Sequence, residues 1–234
     1  MPPEDFGFAP KRFRAKLRSV SAGKTSLHAR APHIGKPAFP ILRWVGVVWL
    51  AVWIPAYWHA WGWQNFLHFC DVAVFLCCAG FWMRGSLLLS SQTLASLVPD
   101  AVWCLDAGWH CFSGHGLFGG TEYMWDPGVA LWIRLLSLFH VALPCVLLYA
   151  VWKVGYDRRA LLLQILICAA LLVIARFFSP QLNLNYAYQE PLFHRTWGPA
   201  PVHLAAVLIF MSVVFYLPVH KLCRRFFRAR GHFA

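Results

Sequence analysis

Apolar residues gather into six long stretches, at roughly 40–61, 65–83, 87–112, 128–152, 159–178 and 200–220, separated by short polar connections. Each is about 20 residues or more, enough to cross a hydrocarbon core as a helix. The pattern predicts an all-α, polytopic membrane bundle of six transmembrane helices. Pro99 lies inside the third stretch. It predicts a kink or a break there, and a break would make a seventh helix. No internal repeat or low-complexity tract interrupts the series.

The polar positions inside these stretches carry the information about function, because a charge at membrane depth is expensive and calls for a role. At about 1.5 Å of rise per residue, Cys70 and Asp71 fall about one and a half turns below the outer surface in the second span. Asp106 falls about two turns below it in the third. Arg134 lies at a similar depth in the fourth, with His140 about two turns deeper, near the midplane. If the three helices are neighbours, these residues form one layer. Gln92, Ser96, Asp100 or Pro99, Trp103, Asp106 and His110 follow steps of three and four, a semi-polar stripe that faces protein or water. His68 and Asp71 share a face of the second span, while Cys70 points elsewhere. Arg134 is expected to pair with Asp71 or Asp106, since an isolated charge there would be intolerable. Asp100, directly after Pro99, is expected to cap the second half of a broken helix. His140, four residues before Pro144, could serve simply to bridge helices through a carbonyl.

Composition agrees with lipid as the main solvent. The 234 residues are 59% hydrophobic and 13% charged, with mean hydropathy +0.54. A soluble domain of this length needs more charge to cover its surface. The formal net charge of +12 is concentrated at the ends. Residues 1–38 read as a basic cytoplasmic arm, rich in proline and expected to lack fixed structure. Residues 39–221 are the transmembrane bundle and 222–234 a basic cytoplasmic tail. Arg84, then Lys153, Arg158 and Arg159, then Lys221, Arg224 and Arg225 fall on the arm's side under six alternating spans. The opposite connections hold only Arg176 and Arg195. This is a positive-inside pattern with both termini cytoplasmic, which places the chain in the cell (inner) membrane. Trp58, Trp61, Trp63, Trp125 and Trp197 sit where an outer aromatic belt would. The arm and tail are suited to anionic lipid headgroups and not to nucleic acid. The arm lacks the layout of a signal peptide, and an organelle transit peptide is its alternative reading. Eight cysteines occur without a CxxC, seven of them in apolar runs, so neither a disulfide framework nor a zinc knuckle is expected.

Four pieces, in order, carry a resemblance. They are "LHFCDVAVFL" with Cys70, "SLVPD" ending at Asp100, "FHVALP" with His140 and Pro144, and the run "NYAY", "GPAPVH", "FYLPVH" from Asn185 to His220. Together they resemble the YwaF-type bacterial integral membrane proteins and their eukaryotic relatives, the transmembrane-protein-164 family, over about residues 40–220. The resemblance implies a helical bundle. In the eukaryotic branch it implies acyl transfer among membrane phospholipids through an acylated cysteine, with Cys70 as nucleophile and His140 as base.

Three chemistries stay open on the residues themselves. Acyl transfer needs a thiolate, a base and oxyanion donors. Cys70 and His140 could supply the first two, and Asn183, Asn185 or Tyr186 the third, with no cofactor. Alternatively His68 with Asp71 and Asp106 with His110 have helical ligand spacing, and could hold zinc for lipid hydrolysis without any HExxH signature. The same residues could instead line a proton or solute path, or stabilise a scaffold that is no enzyme.

Overall fold

The computed structural model describes residues 38–191 and 193–227. The basic arm and the last residues of the tail lie outside them. The described residues are all-helical, without a strand. Six helices run in sequence: α1 (Leu42–Trp61), α2 (Phe69–Met83), α3 (Ser86–Ser113), α4 (Leu131–Val154), α5 (Ala160–Ala175) and α6 (Ala200–Phe226). Two of them, α4 and α6, are long and apolar enough to cross a membrane, and α2 and α5 are apolar but shorter. Tight reversals join α2 to α3 and α4 to α5. The connections 62–68, 114–130 and 176–199 are longer and gather at the opposite end, called here the long-loop end.

The prolines act differently from the expectation. α3 runs unbroken through Pro99 for 28 residues, so no seventh helix forms. The irregularities fall elsewhere. A 3-10 turn at Leu136–Leu138 interrupts α4, and a π-helical segment at Met211–Tyr216 interrupts α6. In α4, Pro144 has no N–H to offer the carbonyl of His140, four residues back. That oxygen takes the Cys104 thiol instead, at 3.8 Å. α6 continues past the hydropathic limit at 220 to Phe226, so the start of the basic tail is helical.

α3 is the central helix, packed against α2, α4, α5 and α6. Its contact with α2 is close because Gly80 has no side chain: a Cβ there would meet Leu89 at 2.8 Å. Two apolar clusters flank α3. One is built around Trp53, whose ring lies 4.9–5.8 Å from those of Tyr57, Phe66, Phe75 and Phe139. The other joins α5 and α6 through Leu94, Cys168, Met211 and Tyr216. Polarity is inverted relative to a water-soluble domain. Ser90, Ser91, Gln92, Thr93, Ser96, Asp100 and Asp106 of α3 are each no more than 1% exposed, whereas Val48, Leu105, Leu162 and Ile209 are each more than 60% exposed.

Candidate functional site

The buried polar layer is organised by α3. Asp100 accepts a hydrogen bond from Ser96 Oγ on one carboxylate oxygen. Its other oxygen lies 2.7 Å from His140 Nδ1 on α4. In the tautomer whose Nδ1–H donates to the carboxylate, Nε2 is the nitrogen left to accept a proton. It has no hydrogen-bond partner among the described residues. The ring is held on both faces, by Trp103 at 4.6 Å and Phe139 at 4.1 Å between centroids. A carboxylate that fixes tautomer and orientation, with the second nitrogen left open, has the geometry that a base needs in a nucleophile–base–orienter arrangement. Asp100 is therefore not a helix cap. Its role was accessible in principle, because it lies as many residues in from the end of the third span as His140 does from the start of the fourth.

Cys70 belongs to the same neighbourhood without bonding to His140. Its thiol donates to Asp71 Oδ1 at 3.6 Å, and Asn65 Nδ2 holds Asp71 Oδ2 at 2.7 Å. Cys70, Asp71 and Asp100 lie within electrostatic reach of one another, as do His68 and His140. Cys70 and His68 are packed round by protein yet retain accessible surface. Above them, Tyr57 hydroxyl and Ser137 Oγ are 2.6 Å apart, and Trp103 Nε1 donates to Tyr123 hydroxyl at 3.2 Å.

Several expected members of the layer do something else. Arg134 pairs with neither Asp71 nor Asp106. Its Nη1 donates to the carbonyl of Met124 at 2.7 Å, because α4 begins at Leu131 and puts Arg134 beside the 114–130 connection. Asp106 takes the backbone N–H groups of Leu117, Phe118 and Gly119 on Oδ1, at 2.6, 2.5 and 3.3 Å, and Thr121 hydroxyl on Oδ2. His110 stacks on Trp125 at 3.8 Å. These three side chains clamp the connection 114–130 onto the bundle, and that connection delivers Tyr123 to the layer. The zinc alternative fails on the same geometry. His68, Asp71, Asp106 and His110 do not converge, and among the described residues no three His, Cys, Asp or Glu side chains group as ligands.

The three expected oxyanion donors also separate. Asn185 uses its whole amide: Oδ1 accepts the N–H of Phe69 at 2.9 Å and Nδ2 donates to Leu67 carbonyl at 2.8 Å. It thereby satisfies a backbone donor in the first turn of α2, which no local side chain caps. Asn183 is occupied likewise, accepting from Tyr188 and Gln189 N–H and donating to Gln189 carbonyl. Tyr186 keeps its hydroxyl unengaged and lies within electrostatic reach of Cys70. The loop itself is pinned by His203, fully buried at the start of α6. Its Nδ1 accepts Trp197 N–H at 3.1 Å and its Nε2 meets Tyr186 carbonyl at 2.9 Å. His203 was not among the expected site residues, and its place in "GPAPVH" was the only signal for it.

No protein-family model, curated protein or solved structure matches the chain.

Proposed function

We propose that the chain is a multi-pass integral membrane protein, crossing the cell membrane six times with both termini cytoplasmic, that transfers acyl groups between lipid esters. The membrane reading is supported by the inverted polarity and by the crowding of Arg84, Lys153, Arg158, Arg159, Lys221 and Arg224 at the short-loop end. α2 and α5, of 15 and 16 residues, are flanked at the other end by the separate 3-10 turns Trp63–Leu67 and Pro180–Leu182. The long-loop end is then the outer face.

The observation that carries the chemistry is the Asp100–His140 pair with Nε2 open, in the same buried layer as the Cys70 thiol. The thiol of Cys70 leaves Asp71 and gives its proton to His140 Nε2. The sulfur attacks the ester carbonyl, the C–O bond breaks, and the departing alkoxide takes the proton back from His140. The product is a thioester on Cys70 and a lyso-lipid. An acceptor hydroxyl reverses the sequence and regenerates the thiol. Tyr186 is the one expected donor left to face the oxyanion. The open bond between Cys70 and His140 belongs to the resting state, since such bonds are often unmade without substrate. The resemblance to the transmembrane-protein-164 family leads to the same assignment of Cys70 and His140.

Incubation of the purified protein with a radiolabelled phosphatidylcholine tests this reading. Hydroxylamine-sensitive label is expected on Cys70, absent in Cys70→Ser and reduced at least about 100-fold in Asp100→Asn, in line with the loss of an oriented base. Lipid turnover that persists in Cys70→Ser would sink it. A second reading is favoured by one observation, the buried run Ser90–Ser91–Gln92–Ser96–Asp100 reaching from the cytoplasmic end of α3 to His140. Such a run suits a proton path, and proton flux into liposomes that disappears in Asp100→Asn would select it.

A further inference from the structure

Arg176 is out of place by charge. It is one of two basic residues that the sequence assigns to outer connections, against the positive-inside bias, and it closes α5 at the long-loop end. Its guanidinium is fixed without a counter-ion among the described residues. The group lies 3.9 Å from the ring centroid of Tyr188, and Nη1 donates to Ala187 carbonyl at 3.2 Å. No carboxylate oxygen lies within 4 Å of it among the described residues. Tyr188 is itself locked, its hydroxyl shared between the carbonyls of Arg176 and Phe178 at 2.9 and 2.7 Å. Thr196 hydroxyl ties the far strand of the loop to Tyr188 carbonyl at 2.7 Å. A shallow cavity of about 420 Å³ opens here, lined by Arg176, Pro180, Gln181, Tyr188, Gln189 and Thr196. Among the described residues the side-chain amide of Gln189 has no hydrogen-bond partner, and Gln181 uses only its oxygen, toward Ser179. Exposed Phe177, Leu182 and Trp197 surround the site, as apolar flanks at a bilayer interface would.

A pre-oriented guanidinium with spare N–H groups, flanked by neutral amide donors and free of a carboxylate, is a receptor for a phosphate oxyanion. We infer that this cavity binds a phosphate group, supplied by the headgroup of an outer-leaflet phospholipid or by free phosphate. The lipid source rests on the membrane reading and not on the acyl-transfer one.

Native mass spectrometry of the full-length protein, released from detergent micelles, separates the sources. The probes are phosphatidylglycerol, diacylglycerol with matched chains, and inorganic phosphate. Retention of phosphatidylglycerol over diacylglycerol, reduced about tenfold or more in Arg176→Gln, assigns the headgroup. Retention of inorganic phosphate alone, with the same loss, assigns free phosphate. Gln189→Leu changes the wall without touching the arginine and is expected to weaken binding about threefold, the smaller effect of a neutral donor. Phosphatidylglycerol and phosphate bound equally by wild type and both variants overturn the site. Failure of the membrane reading would show separately, as protein recovered from the aqueous fraction without detergent, where the phosphate arm still tests the cavity.

Discussion

At the scale of single residues, the buried polar layer depends on side chains whose two ends do different jobs. Asn185 is the clearest case. It sits at φ +55°, a conformation that asparagine tolerates and alanine does not, and spends both amide atoms on the start of α2. Replacing it separates the two contributions. Asn185→Gly keeps the conformation and loses the bonds, at about 1–3 kcal/mol. Asn185→Ala adds the left-handed strain of about 1–2 kcal/mol. Thermal unfolding in detergent is expected to rank wild type above Asn185→Gly and Asn185→Ala lowest, the last two about 2–8 °C apart. Equal melting of the two variants would remove the backbone part of the account. The sequence offered "NYAY" as a polar run near the interface, but chemistry alone could not distinguish a donor to substrate from a donor to backbone. That distinction depends on a contact more than a hundred residues away. The same holds for Asp106. Its carboxylate could be placed at depth from the sequence, whereas the three amides that use it come from a connection whose path no periodicity describes.

At the scale of elements, hydropathy located each described helix to within a few residues apart from the end of α6, six residues past the apolar stretch, because apolar length is a property of the local chain. It misplaced the breaks. Pro99 marked the expected one, yet α3 accommodates it, and the irregular turns fall at Leu136–Leu138 and Met211–Tyr216. The π segment makes its own prediction. A π bulge holds one residue more than an α-helix needs over the same span. Deleting the exposed Val213 within it should leave regular helix with Tyr216, Val219 and Cys223 still facing α5. Deleting the exposed Ala205, in regular helix, turns one side of α6 by about 100° against the other. The first deletion is expected to reach the membrane fraction and melt within a few degrees of wild type, the second to be degraded. If both deletions behave alike, the extra residue in that turn is not what sets the register of α6.

At the scale of the whole molecule, topology is the property to test. Cys111 is exposed near the end of α3 at the long-loop end, and Lys153 is exposed at the short-loop end of α4. A membrane-impermeant maleimide applied to intact cells should label Cys111. In a Cys111→Ser background, Lys153→Cys should be labelled only after permeabilisation. Labelling of both from outside would contradict the six-span arrangement. The link from Asn185 to Phe69 also sets an order of assembly. The chain emerges from its N-terminus, so α2 is made long before the residue that completes its first turn. Until translation passes Asn185, the segment bearing Cys70 has an open backbone end and no finished site beside it. A nascent chain halted after α4 would hold the thiol, His140 and Asp100 together, yet leave that entrance unclosed. The first turn of α2 is thus completed only when most of the protein has been made.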